Sequence, residues 1–431
     1  VILGPLLGIA IWLGLRQQVG DLEERLVRDA NATFSRPLLR PVHVDVPTPG
    51  TFGDAVARHL PPIQRWADSA KVDAKARETA RDVVAGKRPL SELTPAYAAA
   101  LRSLAPSIDG LLAGTRAASA ELPSRKDAWN VCDGADWLGY QAAALLAGLR
   151  MREALASGDE ARATELCLDG LGLGRDAAIS TGLVGHMVGV AIVKRLWPPC
   201  VDAVVGLPAE ERPGVTARLR AARDAFPSVA GMFRVEFLVQ ELMGMGGLMS
   251  EEARSRLSPK AAAQRASAQP LPTWERLAAR DGWRATRAVW DKLIRVAELN
   301  RGLGRDAGFA AVELEAERGI NPFVELGKPG RSPKYARRAE SAVARLDLLV
   351  LSAAAFAFLE AEGRWPASVA ELTARGLLSP QEEERLAEAR FRRPDTGGAF
   401  EARLSVFTGD EEKPTEELVL EVRPPARGRR R

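Results

Sequence analysis

Between Leu348 and Leu359 the chain runs "LLVLSAAAFAFL", a stretch broken only by Ser352. A helix that is apolar on nearly every face has to be buried on more than one side, so any fold of this chain must wrap other elements around that segment. The residues after it specify how it ends. Gly363 supplies a helix stop, and Pro366 blocks continuation. Ser368 with Glu371 forms the S-x-x-E box that starts a second helix through "SVAELTARGLL", and Trp365 is placed to pack over the corner.

The rest of the composition agrees with helices. At 431 residues, with 46% hydrophobic and 27% charged, the chain is long enough for a large core, which excludes a wholly disordered protein. Aromatics make up only 6%, while Ala, Leu, Arg and Glu are abundant and β-branched residues are scarce, so a mainly α protein is predicted. The net charge of +4 comes from interspersed Arg and Asp/Glu rather than a basic face, so no nucleic-acid partner is expected. The basic run at residues 423–431, "RPPARGRRR", is read as a solvated tail.

At the other end, "VILGPLLGIAIWLGL" (residues 1–15) carries no charge until Arg16. As a helix it would span about 22 Å against a hydrocarbon core of about 30 Å. The chain opens on Val, so an upstream continuation of the apolar run is expected. No small-residue cleavage site follows, and the charged "RQQVGDLEERLVRD" continues the helical pattern. The segment is predicted to be an uncleaved transmembrane signal anchor, with membrane lipid as its partner, placing the protein in the inner membrane with a periplasmic body. Residues 16–50 form a juxtamembrane helix and a linker, in which "RPLLRPVHVDVPTPG", with four prolines, suits extended chain or an edge strand around "VHVDV".

Residues 51–250 are predicted to form a multi-helix domain of antiparallel hairpins. Thr94 and Pro95 mark a helix start, as N-cap and first helical position. The clearest hairpin runs from Tyr140 to Leu173: Leu145, Leu146 and Leu149 stripe one helix and Ala163, Leu166 and Cys167 the next. Gly158 is the left-handed stop and Asp159 the following N-cap. The segment "AAISTGLVGHMVGVAIV", residues 177–193, is long and small-residued enough to resemble a second span, but its Ser, Thr and His favour a close-packed core helix. Residues 251–332 are expected to be a polar linker with further helices.

Chemical signatures are sparse. His43, His59 and His186 stand apart, with no second His or Cys at metal-ligand spacing, so no zinc, haem or other cofactor is implied. Cys132, Cys167 and Cys200 lie in apolar helical patterns and read as core residues, with one bridge plus a free thiol left open for an extracytoplasmic domain. "GLGRDA" occurs at residues 172–177 and again at 302–307, but neither copy has the preceding strand that a phosphate loop needs. In "DAWNVCDGADW", Asp133 and Asp136 share a helical face beside Trp129 and Trp137. Paired carboxylates next to indoles are the one arrangement that suits binding or cleaving a glycan.

After the apolar helix come a short charged helix and two strand-like runs, "GAFEARLSVF" and "EELVLEV", separated by "TGDEEKPT". This order resembles the C-terminal module of the type II secretion major pseudopilins, on Gly363, Trp365, Pro366, Leu372, Leu377, Asp395 and Gly397. It is also similar to the tail of uncharacterised bacterial membrane-anchored helical proteins. The resemblance covers residues 333–422 and implies a small α+β module there. By the same resemblance, Asp395, Asp410, Glu411 and Glu412 would be the acids for a calcium ion. The sequence departs from pseudopilins in placing its apolar segment hundreds of residues upstream, without a Glu just inside it. The function expected from these features is a non-enzymatic anchored scaffold or interaction protein of the cell envelope with an unknown protein partner. A glycan-acting domain and an accessory part of a secretion or pilus-like machine are the alternatives.

Overall fold

The computed structural model describes residues 3–34, 39, 42–69, 73–120, 135–180, 182–246, 249–263, 273–299, 302–318, 331–392, 399–407 and 415–422. The protein is mainly helical, with a small antiparallel sheet near its C-terminus.

A long first helix, α1 (Leu3–Phe34), leads through bends at residues 43–46 to β1 (Thr48–Thr51). β1 pairs in parallel with β2 (Ala117–Ser119), and Leu39 bridges to Ser119. The strand expected around "VHVDV" therefore lies further along. That stretch instead bends and buries His43, because its imidazole meets a buried carboxylate. Among the described residues four α-helices and a 3-10 turn at Leu90–Glu92 lie between the strands: α2 (Phe52–Ala67), α3 (Ala74–Val84), α4 (Pro95–Ser103) and α5 (Ala105–Gly114). α2 starts on a full capping box, the Thr51 hydroxyl accepting from the Asp54 amide at 3.1 Å while the Thr51 amide donates to Asp54 at 2.9 Å. Thr94 sits at the N-cap of α4 as the sequence implies, but its hydroxyl makes no capping bond.

The centre of the body is three long helices, α6 (Ala135–Ser157), α7 (Glu160–Ser180) and α8 (Gly182–Gly206). The turn between α6 and α7 is the one legible in sequence. Gly158 has φ +75°, and the Asp159 carboxylate accepts from the Arg162 amide at 3.0 Å. The α7–α8 turn was not legible. Residues 177–193 are not one helix, because Gly182 with φ +65° breaks the run and α8 begins there. Most of the segment is nonetheless core, and its glycines let α7 and α8 approach closely: a Cβ on Gly189 would stand 2.3 Å from the Gly174 carbonyl oxygen. α8 continues through Pro198 and Pro199.

Next come α9 (Arg212–Asp224), α10 (Val229–Gly246), the short α11 (Glu251–Ser255) and α12 (Pro259–Ala263), then α13 (Thr273–Leu299) and α14 (Gly302–Arg318). Part of the stretch expected to be a polar linker is thus helical, α11 being capped by Ser250. Phe233, Phe237, Trp290 and Phe309 form a separate aromatic cluster, with Trp290 stacked on Phe237 at 5.6 Å.

α15 (Arg331–Glu362) contains the apolar stretch, and Leu348, Leu349, Leu351 and Phe358 are fully buried among α8, α9 and the sheet. One hydrophobic core joins these residues to those of α2, α6, α7 and α8. Gly363, at φ +70°, then turns the chain. Trp365 closes the corner, stacked on Phe400 at 5.2 Å and edge-on to Phe356 at 6.0 Å. α16 (Val369–Ala374) is capped by Ser368 as expected, although the returning Glu371 carboxylate bonds the Ala367 amide at 2.5 Å, one residue earlier than a standard box. After α17 (Pro380–Arg385) come β3 (Arg390–Arg392), β4 (Phe400–Phe407) and β5 (Thr415–Val422), in antiparallel order β3-β4-β5. The β4–β5 register runs from Phe400 opposite Val422 to Phe407 opposite Thr415, which turns Phe400, Ala402, Leu404, Leu418, Leu420 and Val422 inward. A Cβ at Gly363 meets nothing within 4 Å, so Gly363→Ala should cost only the left-handed backbone strain, about 1 kcal/mol, in urea unfolding.

Candidate functional site

α7 presents Glu165 and Asp169 on one face, four residues apart, and other elements bring cations onto them. Arg116, just ahead of β2, clamps Asp169 with both arms, Nε to Oδ1 at 2.8 Å and Nη2 to Oδ2 at 2.7 Å. His43 sets its Nε2 2.8 Å from the same Oδ1. An ionised carboxylate only accepts, so that nitrogen carries the proton. Arg218 of α9 bonds Glu165 at 2.7 and 2.9 Å and donates from Nε to the His43 carbonyl at 2.7 Å. Burial pushes the Asp169 carboxyl up, but the bonds from His43 and Arg116 more than offset it and hold it below the usual carboxylate range. His43 is 4% exposed and Asp169 2%. Both Asp169 oxygens are occupied, and among the described residues no hydroxyl or thiol bonds the imidazole. The arrangement fastens the linker, the α5–β2 turn, α7 and α9 together, and the buried His43–Asp169 pair at its centre offers a substrate no open face.

A second network joins the body to the C-terminal module. Glu382 caps α17 from the third helical position and also receives Arg220 at 2.8 and 3.0 Å and Arg223 at 2.8 Å. Arg223 and Arg385 both reach Asp347 on α15, each at 3.1 Å. Burial raises Glu382, but Arg220, the Ser379 amide and Arg223 bring it down to about 2, whereas burial leaves Asp347 above its ordinary range. Arg345 of α15 donates to Glu416 of β5 at 3.0 Å, and Lys194 of α8 meets the same carboxylate at 3.0 Å.

His186 of α8 is completely buried, with neither ring nitrogen hydrogen-bonded, and lies edge-on to Phe226 at 5.5 Å. It is a core histidine, and burial lowers it from 6.5 to about 4. The unfolded chain therefore takes up this proton first as the pH falls. The stability this group contributes is expected to be whole above pH 6.5 and to fall by about 3 kcal/mol by pH 4. His186→Leu should flatten that limb, read as the change in urea midpoint between pH 7 and pH 4.5. His59, which burial also lowers, contributes the same slope to both proteins.

Of the residues picked from sequence, Trp137 is buried in the core against Tyr140 at 5.9 Å, which leaves no indole face there for a sugar. Asp136 falls in the first turn of α6. Trp129, Asp133, Cys132, Asp395, Gly397, Asp410, Glu411 and Glu412 lie outside the described residues. Among the described residues no cluster of His, Cys, Asp and Glu is arranged to hold a metal ion. Both "GLGRDA" copies lie within helices, α7 and α14. Sequence reasoning missed Arg116 and the pairing of His43 with Asp169, partners 126 residues apart with no local motif. It left the cysteines open, and Cys167 and Cys200 form a disulfide between α7 and α8.

At the N-terminus, α1 changes character along its length. From Val19 onward it packs on α10, α11, α12 and α13, with Glu23 accepting from Ser250 and Arg287 bridging Asp29 and Glu241. Before that, Ile9 is 55% exposed, Ile11 54%, Trp12 43% and Leu13 52%, and the Arg16 guanidinium lies over the Trp12 ring at 5.4 Å. Successive residues are about 100° apart around a helix, so this run is apolar on all faces rather than along one stripe. One described helix, α15, is long and apolar enough to cross a membrane by length and composition, but it is mostly buried inside the protein and serves as its core helix. No protein-family model matches the chain, and neither a curated protein nor a solved structure matches it.

Proposed function

We propose that the chain is a single-pass, membrane-anchored scaffold or interaction protein of the bacterial cell envelope, held in the inner membrane by the start of α1 with its body on the periplasmic side. The exposed run Ile9 to Leu13 carries the reading. A protein groove would cover one stripe of such a helix, whereas apolar side chains at every azimuth call for an apolar surround. Trp12 and Arg16, stacked at its end, are the residue types that sit at a lipid–water boundary. The Cys167–Cys200 bridge supports the periplasmic side, because thiols in a reducing cytosol stay open. The ion networks support a structural body, since their charges are paired with one another.

The finer reading of residues 333–422 as a pseudopilin-like module is supported by the order of α15, the Trp-Pro corner, α16, α17 and the sheet. Here α15 is sheathed by the protein's own body, so the module closes the core instead of presenting a free stalk for a filament. Removing residues 1–15 is expected to move the protein from the carbonate-resistant membrane pellet to the soluble fraction while the body keeps its melting temperature. Retention of the truncated chain in the pellet would defeat the anchor.

A further inference from the structure

Where the α6–α7 hairpin turns at Gly158, the protein leaves a cleft of about 570 Å³, inside the range of about 300–1,000 Å³ that small-molecule sites occupy. Its apolar lining is Leu90, from the 3-10 turn after α3, with Ala154 and the buried Leu166. Its charged lining, among the described residues, comes in two opposite pairs. α6 gives Arg150 and Glu153, while the turn and the start of α7 give Asp159 and Arg162. In each pair the acid lies about one turn nearer the hairpin tip than the arginine, so the charges are sorted along the cleft. Asp109 of α5 gathers the two guanidinium groups, its Oδ1 accepting from Arg162 Nη2 at 2.8 Å and its Oδ2 from Arg150 Nη2 at 3.4 Å. One carboxylate between two cations leaves a positive surplus there. Nearer the tip, Asp159 spends one oxygen on the Arg162 amide at 3.0 Å, and Glu153 is met, among the described residues, only by Arg150 Nε at 3.7 Å. That end keeps a negative surplus.

We propose that this cleft binds a short peptide with free ends and an aliphatic side chain, its carboxylate at Arg150 and Arg162 and its ammonium group at Glu153 and Asp159. A simple anion would meet the arginines but face two acids, and a simple cation would meet the reverse. A zwitterion satisfies both poles. The charges of a free amino acid share one carbon, too close for poles a helical turn, about 5 Å, apart, whereas the ends of a dipeptide reach both. The arginines keep donors for the carboxylate: among the described residues neither Nη1 makes a hydrogen bond, and a pair formed there is charge-assisted. Leu90 and Leu166 give the aliphatic side chain its apolar wall. The site is independent of the anchor and would stand if residues 1–15 proved not to enter a membrane.

Isothermal titration of the full chain in detergent micelles with the dipeptide leucyl-leucine should give a Kd of roughly 0.1–1 mM, the affinity expected of a ligand that size. Its N-acetyl form, its amide and free leucine should each bind about tenfold more weakly, since each lacks or misplaces one charged end. Glu153→Gln, at an exposed side chain, should keep the melting temperature and lose most of the preference for the free dipeptide over its N-acetyl form. Arg162→Gln should lose most of the preference over the amide, and Arg162→Lys should keep part of it. The site is overturned if the wild type binds the dipeptide no tighter than its amide or its N-acetyl form, or if Glu153→Gln and Arg162→Gln both bind it as the wild type does. No binding up to ~10 mM dipeptide overturns it as well.

Discussion

Asp169→Ala is expected to lower the stability of the protein by about 3 kcal/mol, because it leaves the buried His43 N–H without its partner and takes two bonds from Arg116. Asp169 is the only described partner of the His43 imidazole, and it takes two of the Arg116 donors. Its loss leaves a guanidinium and a ring N–H facing a cavity that the alanine methyl does not fill. The neighbouring Glu165→Ala makes the control. Glu165 also binds two arginines, but its side chain is 32% exposed and water can replace it, so a loss of about 1 kcal/mol or less is expected. Urea unfolding of the two variants measures the difference. Equal losses would mean that the buried pair is no more structural than the surface one.

The second large effect concerns the disulfide. Cys167 and Cys200 close a loop of 33 residues, and loop-closure entropy puts the value of such a crosslink at about 4 kcal/mol. The Cα atoms stand 5.2 Å apart because α7 and α8 approach at Gly174 and Gly189, so the bridge and the glycines belong to one interface. Cys167→Ala with Cys200→Ala should lower the free energy of unfolding by that amount, read as a lower urea midpoint at unchanged slope, and a reductant should shift the wild type towards the variant and leave the variant unchanged. Thiol labelling of the protein in intact native membranes reads the compartment. Two free thiols at these positions would remove the redox support for a periplasmic body.

What the sequence made legible was local. Gly158 with Asp159, and Gly363 with Trp365 and Ser368, announce turns because a left-handed glycine, a proline corner and a capping side chain act within a few residues of one another. The β4–β5 hairpin was legible for the same reason, as alternation on both sides of a polar turn. The burial of Leu348 to Leu359 followed from its lack of a polar face. What failed were features set by distant partners. "VHVDV" alternates like a strand but bends, because Asp169 captures His43, and no property of residues 42–46 encodes that. Gly182 was one glycine among several in an apolar run. It ends α7 because Glu236 of α10 waits to accept the Leu183 amide at 2.8 Å. Whether Trp137 offered a face to a ligand or packed in the core was left open between two readings, because sequence cannot say which side of a helix faces Tyr140, and the core reading is the one the structure bears out.

The placement of α15 bears on how the protein is made. Its apolar run fills the middle of a core whose other walls are α2, α6, α7 and α8, so the earlier helices have no completed interior until residues near 360 have been synthesised. A chain growing from its N-terminus would hold those helices with their inner faces open for most of translation, the condition under which chains are held by chaperones or aggregate. Ribosome-bound chains ending near residue 330 should therefore be protease-sensitive throughout the body, and resistance should appear abruptly once α15 has emerged.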